Sequence, residues 1–338
     1  MWARVKDGML DHGAETGMLY RTDKKANVKG FLLNRLDESF KDIENAYLKF
    51  NEDLAIGKSL PQGTEWILDN FYLIELIYKE LKIDLKKEEN IVLNVIETHP
   101  LRGYPRVYAL ALELIHHSVG NISEEVLIEF VNDFQKEEIL TLEEIARFYT
   151  VLTLGLMEYI RNIVSNLIKV SGDWEEIDKI DLSMEKNLEE IIENVHIMDS
   201  TKVERLIRRI REDECEFQLI LETIDKRLNY VHKNIKEILE KEYMVQSKYK
   251  VSLGYGINSI RNTSSLNWER VFKSISFVER VFEEDPLEVY ENMESRAKNH
   301  YRHETQKLAE KFKVQEIFIS KKVLEFAGEE WDKGSRDK

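Results

Sequence analysis

The chain has few of the residues that cross-link loops or interrupt helices. Its 338 residues include 1 cysteine, 4 prolines and 14 glycines. A single cysteine, Cys215, excludes an internal disulfide and is typical of a reducing compartment, so we expect a cytoplasmic protein. The scarcity of proline and glycine, together with abundant leucine, isoleucine, glutamate and lysine, predicts long helices.

Long apolar runs and an excess of basic charge are also missing. The nearest candidate for a membrane span, residues 148–168, is interrupted by Glu158, Arg161 and Asn162, so we expect a buried helix there and no direct membrane span. No secretory segment is recognisable at the N-terminus. The formal net charge is −15. This charge argues against nucleic acid as a partner, because phosphate binding requires a basic surface.

No recognisable catalytic or cofactor motif is present. Gly254 and Gly256 resemble part of a phosphate-binding loop, but the third glycine is absent, and a turn between helices explains them better. His300 and His303 lie three residues apart on a predicted helix, yet no further metal ligand can be placed. Cys215 lies in an acidic run (Asp213, Glu214, Glu216) and is an unpromising nucleophile. We therefore predict no metal site, no cofactor and no catalytic residue within the chain.

Hydrophobic periodicity and capping signals predict an array of helices. Ser123 is a predicted N-cap, and Thr141 with Glu144 forms a predicted capping box. The predicted helices cover residues 28–54, 65–82, 105–117, 123–134, 142–170, 203–210, 219–239, 268–283, 287–312 and 314–327. Residues 83–100 form a predicted connection, and 252–265 the one conspicuous non-helical stretch.

These elements predict an all-α fold of antiparallel helix pairs in two packed helical subdomains. Residues 1–27 read as a poorly ordered leader, and residues 28–172 as the N-terminal helical subdomain. An acidic connection at 173–200 would separate it from a C-terminal helical subdomain at 201–327, followed by a polar tail at 328–338.

Three tracts of the chain keep the order and spacing of one known family. They are residues 65–75 (EWILDNFYLIE), residues 103–114 (GYPRVYALALEL) and the segment 251–268, with further similarity at 285–302. Together they resemble the N-terminal helical region of cyclic β-1,2-glucan synthases, from about residue 30 to 327. Tyr255, Asn258 and Asn267 depart from the family pattern, which leaves open any direct role of the third tract.

The resemblance implies a place in a larger enzyme. In such synthases this region precedes membrane helices and a glucosyltransferase domain that uses UDP-glucose. The resemblance therefore implies the N-terminal cytoplasmic module of a glucan synthase, or a stand-alone relative of it. Its partners would be the other domains of the synthase, and it would lie at the inner face of the cell membrane through that parent.

Three functional hypotheses follow. The first is a non-catalytic scaffold or docking module, which would carry an exposed apolar patch where the other domains bind. The second is a domain that binds β-1,2-glucan in its own groove. The third is a free-standing helical adaptor for protein interactions. The groove of the second hypothesis would be lined by Trp66, Asp69, Asn70, Tyr72, Tyr104, Arg106 and Tyr108.

Two arginines in the tracts also suggest structural ion pairs. Arg106 and Arg261 lie among apolar or small residues, and a buried arginine needs an acidic partner. Asp69, Glu75 and Glu113 are the predicted partners. For Arg106 we favour such a structural role over a catalytic one.

Overall fold

The computed structural model of the protein describes residues 20, 22, 24–98, 100–182, 184–212, 217–229, 234–285 and 288–332. Within these ranges it contains fourteen α-helices, one short 3₁₀ helix and two short strands. The all-α prediction is therefore confirmed.

The elements follow one another in this order. They are β1 (Lys25–Asn27), α1 (Lys29–Ala55), α2 (Thr64–Lys87), β2 (Val92–Asn94), α3 (Arg106–His117), α4 (Glu124–Phe134), α5 (Leu142–Ala146), α6 (Phe148–Asp178), α7 (Glu185–Asn194), the 3₁₀ helix (Val195–Ile197), α8 (Ser200–Glu212), α9 (Phe217–Asn229), α10 (Ile235–Ser265), α11 (Trp268–Ile275), α12 (Phe277–Glu283), α13 (Ser295–Phe312) and α14 (Glu316–Asp332).

The chain forms two compact units that alternate along the sequence. The first takes its described residues from Met1–Asn34, Leu81–Leu156 and Ser259–Lys338, and the second from Arg35–Glu80 and Met157–Asn258. These boundaries do not coincide with the predicted connection at 173–200. That stretch lies within the second unit, where α6 continues to Asp178 and Glu175 accepts a hydrogen bond from Lys49 at 2.6 Å.

The first unit is built around α3 and a short two-stranded antiparallel sheet. Ala26 pairs with Leu93 at the centre of the β1–β2 register. The apolar face of α3, which includes Val107, Leu110, Leu114 and Ile115, is buried. A separate apolar cluster joins α5 to the region of α12. Its buried members are Leu142, Val278, Phe282 and Tyr290.

The second unit has its own core. Apolar residues from the end of α6 and from α7 to α10 form one cluster, with Leu206 and Ile207 of α8 fully buried. Aromatic rings join α1 to α2, where Phe40 and Tyr78 stack with centroids 3.9 Å apart. Tyr47 and Phe71 stack in the same way at 4.0 Å.

Local signals located two helix starts correctly. The Ser123 hydroxyl accepts from the Val126 N–H at the start of α4. Thr141 and Glu144 form both bonds of a capping box at the start of α5. These two caps are confirmed.

Other predicted boundaries are corrected. Helix α2 continues to Lys87, so part of the predicted 83–100 connection is helical, and β2 occupies another part. Gly172 does not end α6, because the buried residues Val170 and Trp174 on either side hold that turn in the core. The predicted helix start near residue 285 is a turn, in which the Asp285 carboxylate accepts from two backbone N–H groups; helix α13 begins at Ser295.

The predicted turn at 252–265 is the clearest correction, because α10 runs through it without interruption. The two glycines in this stretch allow α10 to pack closely against residues of α2 and α6. A Cβ placed on Gly254 would lie 2.9 Å from Cζ2 of Trp66, and one on Gly256 would lie 3.2 Å from Cγ1 of Ile160. Glycine lowers the stability of a helix by about 1 kcal/mol relative to alanine. At these positions it permits close contact between helices.

Candidate functional site

The seven predicted groove residues are divided between the two units. Trp66, Asp69, Asn70 and Tyr72 lie on α2 in the second unit. Asp69 is exposed and Tyr72 is 66% exposed, whereas Asn70 is buried and donates to the Trp66 carbonyl at 2.9 Å. Trp66 is half-buried, with its ring against Gly254.

The other three lie at the start of α3 in the first unit. Tyr104 and Tyr108 pack edge-on against Phe31, with centroid distances of 5.1 and 5.8 Å. Tyr108 and Arg106 are buried, so neither side chain faces solvent in this structure. Tyr104 is half-buried.

Arg106 is held by acidic partners outside the predicted set. Its Nε and Nη2 donate to the two carboxylate oxygens of Glu144 at 2.9 and 2.7 Å. Its Nη1 donates to Glu138 at 3.3 Å. Glu144 also accepts from Asn94 and from the Thr141 N–H, so one buried carboxylate both caps α5 and holds the arginine. The capping motif revealed the first of these roles but carried no signal for the second.

The other residues predicted to form ion pairs with Arg106 or Arg261 bind different partners or lie on the surface. Glu75 pairs with Lys79 at 2.6 Å on the surface of α2. Glu113 accepts from the Tyr20 hydroxyl at 2.9 Å. Burial, together with this bond, raises the pKa of Tyr20 well above its usual value. Arg261 is exposed, which removes the reason for expecting a buried ion pair there.

A pocket that the sequence did not indicate lies in the first unit. It has a volume of about 530 Å³ and is formed by α5, α11 and the first three turns of α13, with Tyr149 from the start of α6. We call it the α5–α11–α13 pocket. Its lining residues are Leu142, Glu143, Ile145, Ala146, Tyr149, Trp268, Glu269, Phe272, Ile275, Ser295, Lys298, Asn299, Arg302, His303 and Gln306.

Three aromatic rings provide the apolar part of this pocket. Tyr149 and Trp268 meet edge to face, with centroids 5.2 Å apart. The Trp268 indole N–H donates to the Thr263 carbonyl at 2.8 Å, which fixes the orientation of the ring. The guanidinium carbon of Arg302 lies 4.7 Å from the centre of the Phe272 ring.

A buried ion pair positions Arg302 in the pocket wall. Its Nε and Nη2 donate to the two oxygens of Glu279 at 2.6 and 2.8 Å. The Tyr290 hydroxyl donates to the same carboxylate at 2.8 Å. Burial and then this carboxylate raise the pKa of Tyr290 far above its usual value, so the phenol stays protonated. Burial disfavours the charge of Arg302, but its bonds to Glu279 outweigh this and raise its pKa.

One curated protein is similar to most of the chain. Over 301 residues the chain is 23% identical to cyclic beta-(1,2)-glucan synthase NdvB of Rhizobium meliloti (strain 1021). The match covers 86% of this chain, which spans 10% of the length of NdvB. It supports, at low identity, a relation to the cyclic β-1,2-glucan synthases. No protein-family model matches the chain.

The tracts that resemble glucan synthases supply packing contacts within each unit. In the second unit Trp66 lies against Gly254. In the first unit Arg106 is bound by Glu144, and the Ser259 hydroxyl links α10 to the loop after α3. That hydroxyl accepts from the Ile122 N–H at 2.9 Å and donates to the Gly120 carbonyl at 2.6 Å.

Several large apolar side chains of α13 and α14 face solvent. Leu308 and Phe312 are one turn apart on α13, and Phe318 and Phe326 are eight residues apart on α14, so each pair lies on one side of its helix. Phe312 is 62% exposed and Phe326 is 60% exposed. We call these four residues the α13–α14 apolar set.

The described residues contain neither a cluster of potential metal ligands nor a helix that could span a membrane. Among the described residues no group of three or more potential ligands converges on a point. His300 and His303 are exposed on α13. Cys215 and its acidic neighbours lie outside the described residues. No helix in the described part of the chain is long and apolar enough to cross a membrane.

Proposed function

We propose that the chain is a non-catalytic helical scaffold or docking module of a β-1,2-glucan synthase. It binds the other domains of that enzyme, which transfer glucose from UDP-glucose, and it lies with them at the inner face of the cell membrane. The similarity to NdvB, of which this chain spans 10%, supports a role within a larger assembly.

The observation that carries the non-catalytic part of the proposal is the burial of Arg106. This residue is 2% exposed, and the carboxylate that holds it, Glu144, is 0% exposed. An arginine that bound a sugar or a phosphate would have to present its guanidinium to a ligand. Here the guanidinium binds the Glu144 carboxylate inside the first unit. The tract that contains Arg106 therefore has a structural role.

The α13–α14 apolar set supports the docking part of the proposal. Single exposed apolar residues are normal on a protein surface, but four large ones on two helices that pack together are suited to burial by another domain. The set lies in the first unit, the same unit that contains the Arg106 network.

The proposal can be tested by enzymology on the purified chain and on the assembly that it forms. We expect the chain alone to transfer no glucose from UDP-glucose. Captured through an affinity tag from its own cells, it should bring with it material that makes β-1,2-linked glucan from UDP-glucose. The product linkage is checked by methylation analysis.

Two results would contradict the proposal. Glucose transfer by the purified chain alone would show that it is catalytic. Captured material without glucan synthesis would favour the free-standing adaptor instead. A tagged, unrelated cytoplasmic protein of similar acidic charge controls for non-specific capture of membrane material.

A further inference from the structure

We infer that the α5–α11–α13 pocket is a binding site for a neutral oligosaccharide. That the oligosaccharide is β-1,2-glucan rests on the proposed function. The class of ligand rests on the pocket itself, whose lining combines aromatic rings with uncharged hydrogen-bonding groups. This pocket shares no residue with the groove expected from the sequence.

The charges of the pocket favour an uncharged ligand. The acidic lining residues are Glu143 and Glu269, and the basic ones are Lys298 and Arg302, so the formal charges cancel. Arg302 is bound by Glu279, and Lys298 donates to the Glu291 carbonyl at 2.9 Å. An ionic ligand would compete with these contacts, whereas a neutral one would not.

At the starts of α5 and α11, backbone N–H groups that could bind a phosphate are bonded within the chain. At α5 the Leu142 N–H donates to Glu316 at 2.7 Å and the Glu144 N–H donates to Thr141. At α11 the Arg270 N–H donates to Asn267 at 3.1 Å. These N–H groups at the starts of α5 and α11 are therefore not available to bind an anion.

The aromatic rings suit the C–H faces of a sugar. Tyr149, Trp268 and Phe272 are all half-buried, so part of each ring is accessible within the pocket. Because the Trp268 N–H is bonded internally, its ring contributes an apolar surface of fixed orientation. Fixed aromatic surfaces bind the apolar side of a ligand at a low entropic cost.

Polar side chains face the same space from α13. Asn299, His303 and Gln306 follow the i, i+4, i+7 spacing that places residues on one side of a helix. An amide and a neutral imidazole each both donate and accept hydrogen bonds, as a sugar hydroxyl does. The Asn299 Oδ1 accepts from Arg302 at 2.7 Å, which orients the Asn299 amide with its NH₂ as the donor.

The size of the pocket also fits a short oligosaccharide. Its volume of about 530 Å³ lies within the range of roughly 300–1,000 Å³ that is usual for small-molecule sites. Asn299, His303 and Glu269 are exposed at its edge, so a glucan longer than the pocket can extend into solvent.

The test is calorimetric titration of the full chain with linear β-1,2-glucooligosaccharides, cello-oligosaccharides and UDP-glucose. We expect saturable binding of the β-1,2-linked series. A variant that combines His303→Ala with Gln306→Ala should bind about tenfold or more weakly, since each lost hydrogen bond contributes about 1 kcal/mol. Ala146→Trp, which fills the pocket from an exposed position, should abolish binding without removing any polar group.

Tyr72→Ala is the matched control, because Tyr72 is an exposed tyrosine of the groove that the sequence predicted. It should bind normally, and all variants should keep the helical circular dichroism of the parent chain. Absence of binding at millimolar oligosaccharide overturns the inference. So does binding that is lost in Tyr72→Ala and kept in the pocket variants.

The inference and the proposed function can fail separately. Equal binding of β-1,2-linked and cello-oligosaccharides in this pocket would keep the neutral-sugar site and contradict the choice of β-1,2-glucan. If the chain captures glucan synthase activity but binds no oligosaccharide in this pocket, the inference is contradicted and the proposed function is not.

Discussion

Arg106 and Glu144 form a buried ion pair in which each group depends on the other. Glu144 accepts from Arg106 at 2.9 and 2.7 Å and from Asn94 and Thr141 as well. Such a pair contributes little compared with apolar packing, but loss of one partner leaves a charge in a low-dielectric environment. The network therefore makes the start of α3 sensitive to substitution.

Arg106→Ala should lower the free energy of unfolding by about 3–5 kcal/mol, because Glu144 would stay buried without its cation. Urea denaturation followed by circular dichroism measures this change. Lys79→Ala is the control, since the Lys79–Glu75 pair is exposed on both sides and should contribute less than about 1 kcal/mol. Equal effects of the two substitutions would contradict the assignment of Arg106 to the core.

Gly254 and Gly172 are two helical glycines with opposite surroundings. Gly254→Ala should destabilise the protein by about 1–3 kcal/mol, because the new methyl group would lie 2.9 Å from the Trp66 ring. Gly172→Ala should stabilise it by about 0.5–1 kcal/mol, since no atom lies within 4 Å of the added carbon and alanine favours a helix. Thermal and urea unfolding of both variants checks the difference in sign. Stabilisation by Gly254→Ala would contradict the close contact.

At the scale of elements, the start of α5 depends on a carboxyl group from α14. Glu316 accepts from the Leu142 N–H at 2.7 Å. Burial raises the pKa of Glu316 to about 7, with smaller contributions from Glu144 and Glu310. The bond from Leu142 and the charge of Lys25 act in the opposite direction.

This pKa shift predicts a pH dependence of stability. In the unfolded chain Glu316 ionises near 4.5, whereas in the folded chain it ionises near 7. The protein should therefore lose stability as the pH rises between these values, because the unfolded state releases its proton first. Glu316→Gln keeps an acceptor for the Leu142 N–H and removes the charge. The variant should be about 2 kcal/mol more stable than the parent at pH 8, with little difference at pH 4.

Urea unfolding between pH 4 and 8 measures the difference between the two curves. Glu325→Gln is the control on the same helix, since Glu325 is an exposed carboxylate paired with Lys322. It should not change the pH profile. If parent and Glu316→Gln have parallel profiles, the pKa of Glu316 is not raised in the folded chain.

For the whole molecule, the α13–α14 apolar set should matter for association and not for folding. Phe318→Asp combined with Phe326→Asp should change the free energy of unfolding of the isolated chain by less than about 1 kcal/mol, because surface substitutions remove few contacts. The same variant should lose the glucan synthase activity that the parent chain captures. Tyr243→Asp, at an exposed aromatic residue of the second unit, serves as the control. Retained capture by the double variant would exclude this set as the docking surface.

The sequence determined the features that depend on neighbouring residues. The helical class follows from periodicity, and the Ser123 and Thr141 caps follow from residue type and spacing of three. The tracts that resemble glucan synthases could also be recognised without a structure. Each of these properties is local, or is carried by the order of residues along the chain.

Only the tertiary structure decided which residues meet across large separations. The sequence predicted a structural ion pair for Arg106, but it could not show that the partner would be Glu144 or that Arg261 would be exposed. Nor could it show that Gly254 continues a helix, because the contact that explains this glycine comes from Trp66 on another helix. The α5–α11–α13 pocket was missed for the same reason. Its walls come from segments around residues 145, 270 and 300, and none of them carries a local pattern of a binding site.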